Sequence, residues 1–221
     1  LSKGNDALAA TDRDPLSLRR AHEVAAVARA VAPDDAKVVA YLARVDKSDQ
    51  AQEANRLGEE ALNAGRLGVD GGDDTALGYF HQALELRPGD QRANQGIAPV
   101  ESALIRRAEV AADHDDYEGA QRELDIAAKV RPGFASVDDA RARVAMQRIV
   151  RVNALRDAGI TVLTRNASVD EARRLLAVML RIGPAGDPAA RELRERIDLA
   201  THYGLFRAGQ TFTHAMQGGG R

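Results

Sequence analysis

Apolar residues return along this chain at intervals of three and four, with Ala, Leu, Arg and Glu filling much of the space between them. This is the period of a helix that buries one face, built from strong helix formers. Alternating runs of Val, Ile, Thr and Tyr, the mark of a half-buried strand, are nearly absent. The pattern predicts an all-α protein.

Four segments align without gaps: AHEVAAVARAVAPD, ALGYFHQALELRPG, AQRELDIAAKVRPG and ARRLLAVMLRIGPA. They start at Ala21, Ala76, Ala120 and Ala172, and twelve residues later each has a proline, at Pro33, Pro88, Pro132 and Pro184. Four residues in stand Ala25, Phe80, Leu124 and Leu176, and seven in stand Ala28, Ala83, Ala127 and Met179. Offsets of zero, four and seven share one helical face, and proline ends each helix because it lacks the N–H that the next turn needs. A small first residue lets a neighbouring helix approach, and the larger residue one turn on fills the space beside it. Ala76 and Ala120 are therefore expected at close crossings, with Phe80 and Leu124 packed next to them.

This code resembles the second helix of the tetratricopeptide repeat, and DDYEGAQRELDIAAKVRP, from Asp115 to Pro132, carries it most fully. The resemblance implies an irregular antiparallel helix-pair solenoid with long helices over residues 1–205, its second helices near 15–32, 74–87, 117–131 and 169–182. The copies start 55, 44 and 52 residues apart, whereas the standard repeat is about 34 residues long. The first helices must be longer, or the loops expanded.

Between the copies, residues 34–68 have helical composition, with an interruption expected at Asp46 to Asp49 and a loop at GVDGGDD. A helix is expected from about Pro99 to Ala112. Another begins in a capping-box-like pairing of Ser136 with Asp139 and reaches about Thr164; Ser168 with Glu171 starts the fourth second helix. Asp14-Pro15 and Asp187-Pro188 read as Asp caps followed by Pro at the first helical position. The last of these opens DPAARELRERIDLATHYGLF, in which Leu193, Ile197, Ala200 and Gly204 form one stripe in an otherwise charged helix. That is the pattern of a capping helix with a solvated outer face, and it predicts a monomer.

Charge and composition narrow the function. Lys and Arg number 31 against 33 Asp and Glu, interspersed along the chain, so the basic footprint of a nucleic-acid binder is missing and no nucleic-acid partner is expected. No run reaches the length of a membrane span, so no membrane contact is expected of this chain. The start at Leu1 without a signal peptide's apolar stretch reads as a piece cut from a longer protein. The absence of cysteine rules out disulfides and thiolate metal sites. Six Ser and five His (His22, His81, His114, His202 and His214) form no GxSxG, HExxH or paired-His pattern, and GVDGGDD lacks both a phosphate loop's lysine and an EF-hand's ligand spacing.

No catalytic, cofactor or metal site is expected. The reading is a non-catalytic protein–protein interaction or scaffold module whose partner is another protein or an adjoining domain. In such arrays the first helices line a groove. Alignment on Ala120 puts Ser102, Ile105, Arg106, Glu109 and Ala112 on that stripe, and Arg148, Arg151 and Arg156 extend it, giving a candidate groove of Ser102, Arg106, Glu109, Arg148, Arg151 and Arg156. Ile105 and Glu109 stand where the carboxylate clamp of chaperone-binding tetratricopeptide proteins has Lys and Asn, which argues against that clamp.

From Phe206 the pattern changes: FRAGQTFTHAMQGGGR loses helical periodicity at its end and finishes in three glycines, so residues 206–221 read as a linker or the start of a following domain. Gly209, Thr211, Phe212, Gly218, Gly219 and Gly220 resemble the entry into formylglycine-generating-enzyme-like domains. That resemblance implies an alternative: the regulatory or targeting arm of a bacterial protein of the periplasm or cell envelope, whose catalytic domain lies beyond residue 221.

Overall fold

A computed structural model describes residues 1–11, 14, 16–68, 74–166 and 168–217, excluding the side chains of 166 and 204–217. The fold is all-α, with no strand among the described residues. The helices are α1 (Ser2–Ala9), α2 (Ser17–Val31), α3 (Ala36–Asn63), α4 (Ala76–Leu86), α5 (Gln91–Asp113), α6 (Tyr117–Val130), α7 (Ala135–Asn166), α8 (Val169–Ile182) and α9 (Pro188–Gln217). They form two compact units: Leu1–Arg107 with Arg122–Val137, and Ala108–Gln121 with Asp138–Arg221. No described helix is long and apolar enough to cross a membrane.

The four aligned segments form helices α2, α4, α6 and α8, and each ends two residues before its proline. Ala21, Ala76, Ala120 and Ala172 are fully buried, as are Phe80 and Leu124. The connecting turns have local causes. Arg-Pro-Gly closes both α4 and α6, and Gly89 and Gly133 take φ of +87° and +88°, a region that a side chain disfavours. A carboxylate caps α5 after the first of these turns and α9 after α8: Asp90 Oδ1 accepts from Ala93 N at 2.9 Å, and Asp187 Oδ1 accepts from Ala189 N at 2.8 Å. Asp35 and Asp116 cap α3 and α6 in the same way, and the Thr75 hydroxyl accepts from Gly78 N to cap α4.

Several expected boundaries change. Helix α3 runs unbroken through Asp46 to Asp49, because Val45, Ser48 and Ala51 stay on its buried face. Helix α5 starts at Gln91 rather than near Pro99, which lies inside it. Burial of Ala93 and Val100 and the Asp90 cap hold that helix together, against the ~3 kcal/mol an internal proline costs. Ser136 lies within the first turn of α7, and its hydroxyl donates to Glu101 instead of capping. Ser168 does occupy the N-cap of α8, but its side chain makes no capping bond. Helix α2 starts at Ser17, with Asp14 Oδ1 accepting from Leu16 N at 2.9 Å. The α9 backbone is helical through Gln217; Gly218 to Arg221, where the loss of helical periodicity is expected, and most of GVDGGDD lie outside the described residues.

In the first unit, Ala7, Ala21, Ala25, Tyr41 and Val45 form a buried cluster joined by Leu8, Val24 and Leu42. Tyr41 is fully buried, and its hydroxyl donates to the Ala21 carbonyl at 2.8 Å. Helix α4 drives Phe80 between two glycines: a Cβ on Gly58 of α3 would stand 2.7 Å from the ring, and one on Gly96 of α5 closer still. In the second unit Leu193 of α9 sits over Gly159 of α7, where an added Cβ would stand 2.7 Å from its methyls. Leu193 and Ile197, half of the expected capping stripe, are buried, and α9 packs on α8.

Burial raises the Tyr41 phenol above its ordinary pKa, and burial with the nearby Asp115 carboxylate does the same for Tyr117. The fold therefore prefers both neutral. Their contribution is complete below the unfolded value of about 10 and is lost as pH rises through the raised folded values. We expect the melting temperature to fall in alkaline solution together with late phenolate absorbance, and Tyr41→Phe to flatten part of that fall. A melting temperature independent of pH above 10 would contradict it.

Candidate interaction surface

The two Arg-Pro-Gly turns lock the first unit with buried charge. Arg87 donates to Asp90 Oδ2 at 3.0 Å, while Asn55 of α3 donates to Asp90 Oδ1 at 3.0 Å. At the second turn the acid comes from the helix instead: Glu101 of α5 accepts from the Ser136 hydroxyl, its other oxygen lies 3.9 Å from Arg131, and Arg131 stacks 3.5 Å over Phe134. Both carboxylates are buried. Each junction thus has an arginine, an acid and a small polar partner, the acid lying in the turn at Asp90 and on α5 at Glu101.

Successive first helices are tied by a second set of polar pairs. Arg92 of α5 grips Glu59 of α3 through two bonds of 2.6 and 2.7 Å, and the contact lowers the Glu59 pKa while raising that of Arg92. In the second unit Arg143, Gln147 and Arg151 project from one face of α7 to Glu109 at 2.7 Å, Asp113 at 2.7 Å and Asp115 at 3.0 Å. Asp115 holds a left-handed φ of 60°, and its hydrogen bond to Arg151 is the main cause of that guanidinium's raised pKa. These partners lie 33 to 36 residues apart, whereas α2, α4, α6 and α8 recur at wider intervals. Longer first helices reconcile the two spacings: each starts beside a middle or late turn of its predecessor, as Leu193 near the start of α9 does over Gly159 of α7.

The structure places the sequence-derived groove residues as follows. In the first unit Ser102 and Arg106 are exposed, and the Ser102 hydroxyl donates to its own helix at the Ala98 carbonyl, 3.1 Å away. The other four belong to the second unit, and all make intramolecular pairs. Glu109 accepts from Arg143. Arg148 donates to the Ile182 carbonyl and lies 5.7 Å over the Tyr117 ring. Arg151 pairs with Asp115, and Arg156 with Asp157 at 2.9 Å and Glu192 at 3.6 Å. Ile105 and Ala112, placed on the groove stripe by alignment, are buried; they fall on the inner side of α5 with Leu104 and Ala108.

Sequence reading passed over the exposed apolar residues of α7. Met146, Ile149 and Val150 are all more than half exposed, and Val150 lines a 470 Å³ depression with Ala112, Tyr117 and Arg151. Met146 and Val150 are one turn apart and lie beside the Arg143, Gln147, Arg151 row. A signal existed: Val144, Met146, Ile149, Val150 and Val152 go too far round the helix for a single buried face. No protein-family model, curated protein or solved structure matches the chain.

Proposed function

We propose that the chain is a non-catalytic interaction or scaffold module, a tetratricopeptide-like array that holds another protein or an adjoining domain. The observation that supports this best is the outer face of α7, where Met146 and Val150 stand exposed beside a row of paired polar side chains. Those pairs hold the helix surface in shape before a partner arrives, which reduces the ordering cost of binding. The repeated code supports the same reading, since it commits most apolar residues to helix packing and leaves these few outside. Balanced charge favours a protein partner over nucleic acid.

A photo-crosslinking residue in place of Met146 tests the proposal, with and without Val150→Asp. We expect one crosslinked partner, lost in the Val150→Asp chain while the melting temperature stays unchanged, because an exposed substitution of this kind shifts stability by about 0.5 kcal/mol or less. Crosslinks indifferent to Val150→Asp, or substrate turnover abolished by a single substitution elsewhere, would overturn it.

A further inference from the structure

On α7 a periodic row carries one exception. Arg143, Gln147 and Arg151 stand four residues apart, about one helical turn each. Arg143 bonds Glu109, and Arg151 grips both oxygens of Asp115, so each of these acids has a guanidinium to neutralise it. Asp113 lies between them in sequence and meets the neutral amide of Gln147, which donates to Oδ1 at 2.7 Å. Among the described residues no cation pairs with Asp113, and its Oδ2 accepts no hydrogen bond. Asp113 is also the last residue of α5. The unpaired carbonyls there make the helix end negative, so a carboxylate is disfavoured and a cation brought beside it is attracted by both. A lysine or arginine at this place would serve the fold better than an aspartate does.

The same carboxylate lines the 470 Å³ depression with Val150, Ala154 and Tyr117. Val150 is 60% exposed, and Ala154 is exposed one turn further on. Asp115 and Arg151 line the depression too, but their charges cancel each other. What remains is an apolar wall and one negative edge. That pairing suits a side chain that is aliphatic along its stem and cationic at its tip. An acidic side chain would meet the charge of Asp113 and the negative end of α5, and a wholly apolar one would strip water from the carboxylate without replacing it.

We infer that this depression receives a lysine or arginine side chain of the protein partner, its stem against Val150 and Ala154 and its charged tip on Asp113. The depression belongs to the α7 face proposed above as the interaction surface, and its specificity for a cation rests on that proposal.

The test pans a random heptapeptide library displayed on phage against the immobilised 221-residue chain. The strongest binders, resynthesised with a fluorescent label, are then titrated with the parent chain and with Asp113→Asn and Val150→Asp. Asp113→Asn keeps the shape and an acceptor for Gln147 while removing the charge. We expect the selected peptides to carry Lys or Arg beside an aliphatic residue, and to bind Asp113→Asn about fivefold more weakly, the upper range for an exposed ion pair. The melting temperature of that variant should hold or rise, because a charge has left the negative end of α5; a purely structural role for Asp113 would lower it. A peptide with its Lys changed to Glu should recover binding on an Asp113→Lys chain. Peptides weakened by Val150→Asp but indifferent to Asp113→Asn would overturn the cation site and leave the interaction surface standing. Peptides indifferent to both changes, or no enrichment over a bare support, would overturn both.

Discussion

Replacing Phe80 with alanine should cost about 3 to 5 kcal/mol, the range for deleting a fully buried ring from a core that cannot collapse around the space. The ring is completely buried and held between Gly58 and Gly96, which belong to two different helices. Both neighbours are backbone at the point of contact, so no flexible side chain can swing in to refill the void. Calorimetry or denaturant titration should show the loss in the unit that contains α3, α4 and the start of α5. A companion substitution separates socket from ring. Gly96→Ala alone should destabilise, because its Cβ would collide with Phe80, whereas in the Phe80→Ala background the same change should become neutral or stabilising through helix propensity, by up to about 1 kcal/mol. A melting curve unmoved by Phe80→Ala would show that the repeated alignment does not describe packing.

The second large effect is expected at Asp90. Truncation to alanine removes the N-cap of α5, the partner of Arg87 and the acceptor for the buried amide of Asn55. Asn55 Oδ1 already lacks a partner among the described residues, so its amide would then be buried with neither end bonded. Breaking such a set costs about 3 to 5 kcal/mol, most of it from the polar groups left behind. Asp90→Asn should fall between, since it keeps an acceptor and loses the charge. Because Asp90 is only 2% exposed, its effect should persist in concentrated salt, whereas that of Glu59→Gln at the open Arg92 pair should shrink. Stability unchanged in Asp90→Ala would mean that the buried junction carries no weight.

The second helices were legible in the sequence because several independent constraints coincide there. A small residue, a bulky one a turn later, a second small residue and a proline cannot slide relative to one another, so α2, α4, α6 and α8 end where Pro33, Pro88, Pro132 and Pro184 say. The first helices lack such punctuation. Pro99 looked like a beginning because proline favours the first helical turn, yet Asp90, nine residues earlier, was the operating cap. Asp46 to Asp49 looked like a break because local polarity hides the period kept by Val45, Ser48 and Ala51.

The surface was harder to read, for a related reason. Exposed charge suggests availability, so Arg148, Arg151 and Arg156 were natural groove candidates, but their partners Ile182, Asp115 and Glu192 stand about 34 to 36 residues away in sequence. No local pattern announces those pairs. Met146 and Val150 raise the opposite difficulty, since an apolar residue within a helical period reads as core until the neighbouring helices are placed.

The short reach of the polar ties has a kinetic consequence. The hydrogen bonds named between helices join positions a few tens of residues apart, 20 for Tyr41 to Ala21 and 35 for Ser136 to Glu101. Closing such loops costs little entropy, and chains dominated by local closures cross their folding barrier quickly. Each junction can be completed while the rest of the chain is still unformed, and it can reopen without undoing a distant pairing. Nucleation is thus available at several points along the polypeptide, and a chain emerging from the ribosome can consolidate its first turns before its last helix exists.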